Sequence, residues 1–189
     1  MWYLDNKRWN DITREERVFT AELYFCAREN PKPLIKLFGL TDSKHYEVGF
    51  EVCLYRDLLF YHNKKSNNRI KTVKEEGLPP KRTFDLVLMA EDEFVIIEAK
   101  AAQNFSKTDR DHYLADRDYI KQVFELCYGK KLGDDVVKIC GICSTNNGKM
   151  ERDKGFFEGG GGKLVTWKDV KTIYPKSEDL FMRANKVHR

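Results

Sequence analysis

Two short apolar runs, Phe84–Met89 and Phe94–Ala99, are separated only by Ala90-Glu91-Asp92-Glu93. No other feature limits the fold as much. Both runs read as strands, and so short a connection joins them as an antiparallel hairpin. Because the runs are apolar on both faces, the hairpin belongs in the middle of a sheet. If Ala90 and Glu93 pair across a two-residue turn, counting back places Asp85 opposite Glu98, with their Cβ atoms about 4.5–5.5 Å apart. Lys100 lies two residues beyond Glu98 and points to the same side. The rest of that face (Val87, Met89, Phe94 and Ile96) is apolar, so three charges converge at one end of a buried surface. A slip of one residue would send the two acids to opposite faces.

Two carboxylates at that spacing can share Mg²⁺ or Mn²⁺, hard cations that take oxygen ligands. An ion held there would polarise a phosphodiester and activate an attacking water, while the adjacent lysine offsets developing charge. The competing reading is a salt bridge across a strand pair at the sheet edge. Both acids interrupt runs that otherwise read as central strands, where unpaired charge is costly, and this favours a site.

The rest of the chain supplies layers around the hairpin. A helix is expected over Thr13–Ala27, opened by a capping box of Thr13 and Glu16 and stopped by Asn30-Pro31-Lys32-Pro33. Tyr46–Tyr55 alternates as a strand, which Asp57–Tyr61 either continues or neighbours. Asn63–Lys81 reads as a long polar loop. A second helix runs from Ser106 or Thr108 to Tyr128, with Tyr113, Ile120, Val123, Phe124 and Cys127 as its stripe. A buried strand at Val136–Cys143 and a glycine-rich loop at Glu158–Gly162 follow. A strand at Lys163–Thr166 and short helices over Lys168–Ile173 and Glu178–Asn185 close a single domain spanning 1–189. This order makes a mixed α/β domain with partly antiparallel pairing.

On the first helix, Val18, Phe19, Phe25 and Cys26 define an apolar stripe that includes Glu22. A buried carboxylate needs a partner: a metal site, or an arginine or tyrosine hydroxyl. Glu16 lies at the stripe's edge and is either the helix acid in place of Glu22 or a plain capping residue.

The order helix, strand, strand with Phe84-Asp85, strand with Ile96-Ile97-Glu98-Ala99-Lys100, helix, strand resembles the PD-(D/E)XK, or restriction endonuclease-like, superfamily. The resemblance covers roughly Thr13–Cys143, and Phe84 replaces the usual proline. It implies an αβββαβ core, a mixed central sheet flanked by helices. It further implies that Asp85 and Glu98 bind Mg²⁺ or Mn²⁺, that Glu22 joins them, and that Lys100 assists the nucleophilic water. The implied activity is phosphodiester hydrolysis in DNA, as an endonuclease in restriction or defence. The alternative is a catalytically silent module of the same fold that binds nucleic acid or a protein. Gln122 lacks the tyrosine that some members carry four residues later and reads as a surface residue. Asp116, on the apolar side of the second helix, either supports the site or pairs with Arg117 or Arg110.

Composition admits this reading without demanding it. A net charge of +4 over 189 residues is mildly basic, but the segment from Lys64 to Arg82 concentrates Lys64, Lys65, Arg69, Lys71, Lys74, Lys81 and Arg82, a candidate phosphate grip leading into the Asp85 strand. Lys149, Arg152 and Lys154 could extend that surface. No recognition domain is apparent, so specificity would come from loops, a partner protein or a homodimer cutting both strands. No apolar stretch approaches a membrane span, the first residues lack a secretory signal, and the cysteine count of five is odd. A reduced, cytoplasmic protein is expected. Cys140 and Cys143 have half-zinc-site spacing, but on a strand their thiols face opposite sides.

Overall fold

The computed structural model describes residues 12–65, 82–129 and 131–186. Five strands form one mixed sheet in the order β1 (Glu47–Val52), β2 (Phe84–Ala90), β3 (Glu93–Ala99), β4 (Val137–Cys143) and β5 (Leu164–Thr166). β1, β2 and β3 pair antiparallel, whereas β4 and β5 run parallel to β3. The hairpin has the expected register: Ala90 pairs with Glu93, and Leu86 with Ile97. Every residue of β3 is buried, its apolar stretch Phe94–Ile97 and the flanking Glu93 and Glu98 alike.

Helices cover both faces. On one, Leu86, Leu88, Val95 and Ile97 pack against Phe19 and Leu23 of α1 (Glu16–Glu29), Leu34 of α2 (Lys32–Leu37), and Trp167 and Phe181. The last two belong to α6 (Trp167–Ile173) and α7 (Glu178–Lys186). On the other, Val87, Phe94, Ile96 and Ile139 meet Tyr113, Ile120 and Val123 of α4 (Lys107–Tyr128) and Phe157 of α5 (Met150–Gly159). Ser106 and Asp109 close a capping box at the start of α4, and Gly129 ends that helix in the left-handed region at φ 64°. Cys140 belongs to the first core and Cys143 to the second, so the two thiols do face opposite ways. None of the five cysteines is in a disulfide. No described helix is long and apolar enough to cross a membrane.

Several local expectations are corrected. Asp57–Tyr61 is not a strand: a π-helical turn over Tyr55–Leu59 leads into α3 (Phe60–Lys65). The Pro31–Pro33 segment stops α1 but starts α2, since proline is tolerated in a first helical turn. Met150–Gly159 is helical, so the glycine run begins at a helix end rather than in a loop. The Thr13–Glu16 capping box does not form. Thr13 accepts from the Glu15 N–H at 3.2 Å, and the Glu16 side chain is used elsewhere. Residues 66–81 lie outside the described residues, and with them most of the basic segment.

Candidate active site

The site forms where β2 begins and β3 ends. Asp85 and Glu98 stand one step beyond the Leu86–Ile97 pair. Asp85 Oδ2 accepts the Ala99 N–H at 2.9 Å, which ties the two strands together just past their last ladder pair. Lys100 extends the β3–β4 ladder by donating its N–H to the Ile142 carbonyl at 2.8 Å. The fully buried Trp167 donates its indole N–H to the Lys100 carbonyl at 3.1 Å, so the lysine backbone is held from both sides.

The first-helix acid that lies beside Lys100 is Glu16. Its Oε1 lies 3.5 Å from Lys100 Nζ, and its Oε2 accepts the Ala101 N–H at 2.8 Å. Glu22 is placed elsewhere: it accepts the Ser177 hydroxyl and lies 4.0 Å from the Cys26 thiol, tying α1 to the turn before α7. The buried line of α1 is Phe19, Thr20, Leu23 and Ala27, whereas Phe25 is half exposed. Glu16 continues that line one turn earlier, and Glu22 flanks it. Helical spacing back from Leu23 and Ala27 carries this signal; giving weight to Phe25 hid it.

Two further groups complete the cluster. Arg82, just ahead of β2, donates Nε and Nη2 to the carboxylate of Asp116 on α4 at 2.8 and 2.6 Å. Its Nη2 also reaches Glu98 Oε1 at 3.4 Å. Asp116 therefore pairs with Arg82, not with Arg110 or Arg117. Glu51 on β1 falls opposite Asp85, between the pairs Phe50–Leu86 and Val52–Phe84. It has φ 50°, a conformation uncommon for glutamate. Its carboxylate lies 3.3 Å from Arg17 of α1. Gln122 is exposed on α4, as a surface residue should be.

The electrostatics follow from burial. Glu98 is only 5 % exposed. Loss of water, with Asp85 beside it, pushes its carboxyl up to about 8, against the pull of Arg82 and Lys100. Burial also raises Asp85 and Glu16, although the Ala99 N–H and Lys100 oppose it at the first, and Lys100 and the Ala101 N–H at the second. Burial works against the Lys100 ammonium, yet Glu16, Asp85 and Glu98 together hold it above its ordinary range. Lys100 is a fixed cation among three acids that burial makes reluctant to ionise.

Burial is what makes these carboxylates resist ionisation, against the pull of Arg82 and Lys100, and oxygen donors of this kind suit a hard divalent ion. Among the described residues, no group of three or more His, Cys, Asp or Glu side chains is gathered in ion-binding geometry. The acids here are spaced by Arg82 and Lys100. A separate apolar cavity of about 380 Å³ opens at the opposite, turn end of the hairpin, between Met89, Phe94, Phe124 and Tyr128. Outside the site, Arg152 pairs with the buried Asp153 at 2.7 Å while its side chain stays exposed.

No protein-family model matches the chain, and no curated protein or solved structure is significantly similar to it.

Proposed function

We propose that the protein is a divalent-metal-dependent nuclease of the PD-(D/E)XK type that hydrolyses phosphodiester bonds in DNA. The observation that carries this reading is the convergence of Asp85, Glu98, Lys100 and Glu16 where the central hairpin meets the first helix. The surrounding order also supports it: helix, three antiparallel strands, helix, parallel strand, the αβββαβ arrangement of restriction endonuclease-like cores. Asp85 and Glu98 would hold Mg²⁺ or Mn²⁺, with Glu16 in place of Glu22 as the helix acid. The ion would supply Lewis acidity to the phosphodiester and to the attacking water. Lys100, kept charged by its neighbours, orients the nucleophile and balances charge developing on the phosphorus oxygens. Trp167 and the Ile142 carbonyl fix that lysine, and the Ala99 N–H fixes Asp85, so the groups are aligned before substrate arrives.

A second reading is a silent nuclease-fold module that binds nucleic acid or a protein. The ion pairs favour it, because Arg82 and Lys100 already neutralise the acids without any metal. Cleavage of supercoiled and linear DNA with Mg²⁺ or Mn²⁺, beside Asp85→Ala and Lys100→Ala, separates the two. Activity in the parent, lost in both folded variants, supports the nuclease. DNA left intact by a parent that binds no Mn²⁺ leaves the binding module.

A further inference from the structure

We infer that Arg82 is a positioning residue that occupies, in the metal-free protein, the electrostatic place a divalent ion takes beside Glu98, with Asp116 as its permanent anchor. The inference rests on the nuclease reading and deepens it. The asymmetry of the contacts carries it. Arg82 gives Asp116 two bonds of 2.8 and 2.6 Å, a fork-on-carboxylate arrangement with directional, charge-assisted strength. It gives Glu98 only one contact, from the same Nη2, at 3.4 Å. The guanidinium also lies 5.2 Å from the Phe84 ring centroid and 5.7 Å from that of Tyr113, so aromatic faces hold it independently of Glu98. Burial opposes its charge, but Asp116 and Glu98 more than restore it. Arg82 can therefore release Glu98 while keeping every other contact.

An arginine serving only to build the site would have its strong bonds on the residue it positions. Here they lie on α4, and the weak one lies on the acid that would become a ligand. Cation entry must then compete with a resident positive charge. Removing that charge should favour a doubly charged ion about twice as strongly as a proton at the same place, so tighter metal binding survives any gain in protonation. Removing Asp116 should act in the opposite sense, because Arg82 loses its alternative partner and turns fully onto Glu98.

The test is Mn²⁺ affinity of the full chain, measured by calorimetry and by the electron spin resonance signal of free Mn²⁺. Arg82→Gln should bind Mn²⁺ about tenfold tighter or more, and Asp116→Asn should bind it more weakly than the parent. Arg82→Lys, which keeps the charge but not the fork, should stay within a few-fold of the parent. Arg82→Met, whose stem retains the packing between Phe84 and Tyr113, provides a second neutral variant if the glutamine chain fails to fold. A merely structural arginine predicts weaker binding in every variant. Weaker or unchanged binding in a folded neutral variant overturns the inference alone. A parent that binds no Mn²⁺ overturns the nuclease reading and the inference with it.

Discussion

Replacing Glu98 with glutamine should make the metal-free protein more stable, not less, above about pH 6. Glu98 is 5 % exposed, and its carboxyl is raised from 4.5 to about 8, first by burial and then by Asp85. For an acid raised in the folded state, stability is fully present below the ordinary value and is lost as pH climbs toward the folded one. By pH 7.5 the shortfall is about 4 kcal/mol, at about 1.4 kcal/mol for each pH unit above the ordinary value. Glutamine keeps the shape and removes the titration. It leaves Arg82 its two bonds to Asp116, but it must find partners for a buried amide, costing about 1–3 kcal/mol. The net gain should be about 2 kcal/mol, or a Tm about 4–8 °C higher for a chain of this size.

Thermal melts between pH 5 and pH 9 test this directly. At pH 5 Glu98→Gln should be the less stable chain by about 1 kcal/mol, overtake the parent near pH 6 and keep gaining on it until the difference levels off near pH 8. Added Mn²⁺ should raise the Tm of the parent and leave the variant unmoved, because ligand linkage stabilises only a chain that binds. A variant less stable than the parent throughout, or a gap that does not change with pH, would refute the claim that this carboxyl is strained by burial. A parent indifferent to Mn²⁺ would show that the strain serves no metal.

Glu16→Gln should reduce cleavage by about a hundredfold or more, the scale lost with one preorganised charged group, whereas Glu22→Gln should leave turnover near parental; initial rates on plasmid DNA decide which helix acid acts. Gly162→Ala should cost about 3 kcal/mol, because a Cβ there would lie 1.8 Å from the Ile139 carbonyl oxygen. Gly155→Ala, inside α5 with nothing within 4 Å, should gain about 0.5–1 kcal/mol; urea melts of both variants check the pair. Burial alone would raise Glu93, but Lys138 and Tyr46 hold it below its ordinary value. Its stability contribution is therefore present above pH 4.5 and lost as pH falls through the lower folded value. Glu93→Gln should flatten that acid limb in melts between pH 3 and pH 6.

What the sequence disclosed and what it hid differ in the range of the forces involved. The β2–β3 register was legible because a two-residue turn and a strict two-residue period leave no freedom: Ala90–Glu93 fixes every later pair as far as Leu86–Ile97. Asp85, Glu98 and Lys100 could therefore be brought together from spacing alone. Helix α1 was less determinate, because its aromatic residues do not all face inward. Phe25 stays outside, its ring tilted against Tyr24 and lying under Arg28, and a stripe drawn through it rotates the helix enough to exchange Glu16 for Glu22. The buried acid–arginine pair was beyond reach, since Arg82 and Asp116 are brought together only by tertiary packing and neither belongs to a periodic pattern shared with the other. Local rules recover the residues that a short stretch of backbone presents to one place. The residues that set the charge around them come from distant parts of the chain, and that charge decides whether the three acids at the hairpin's end hold an ion or only one another's counter-charges.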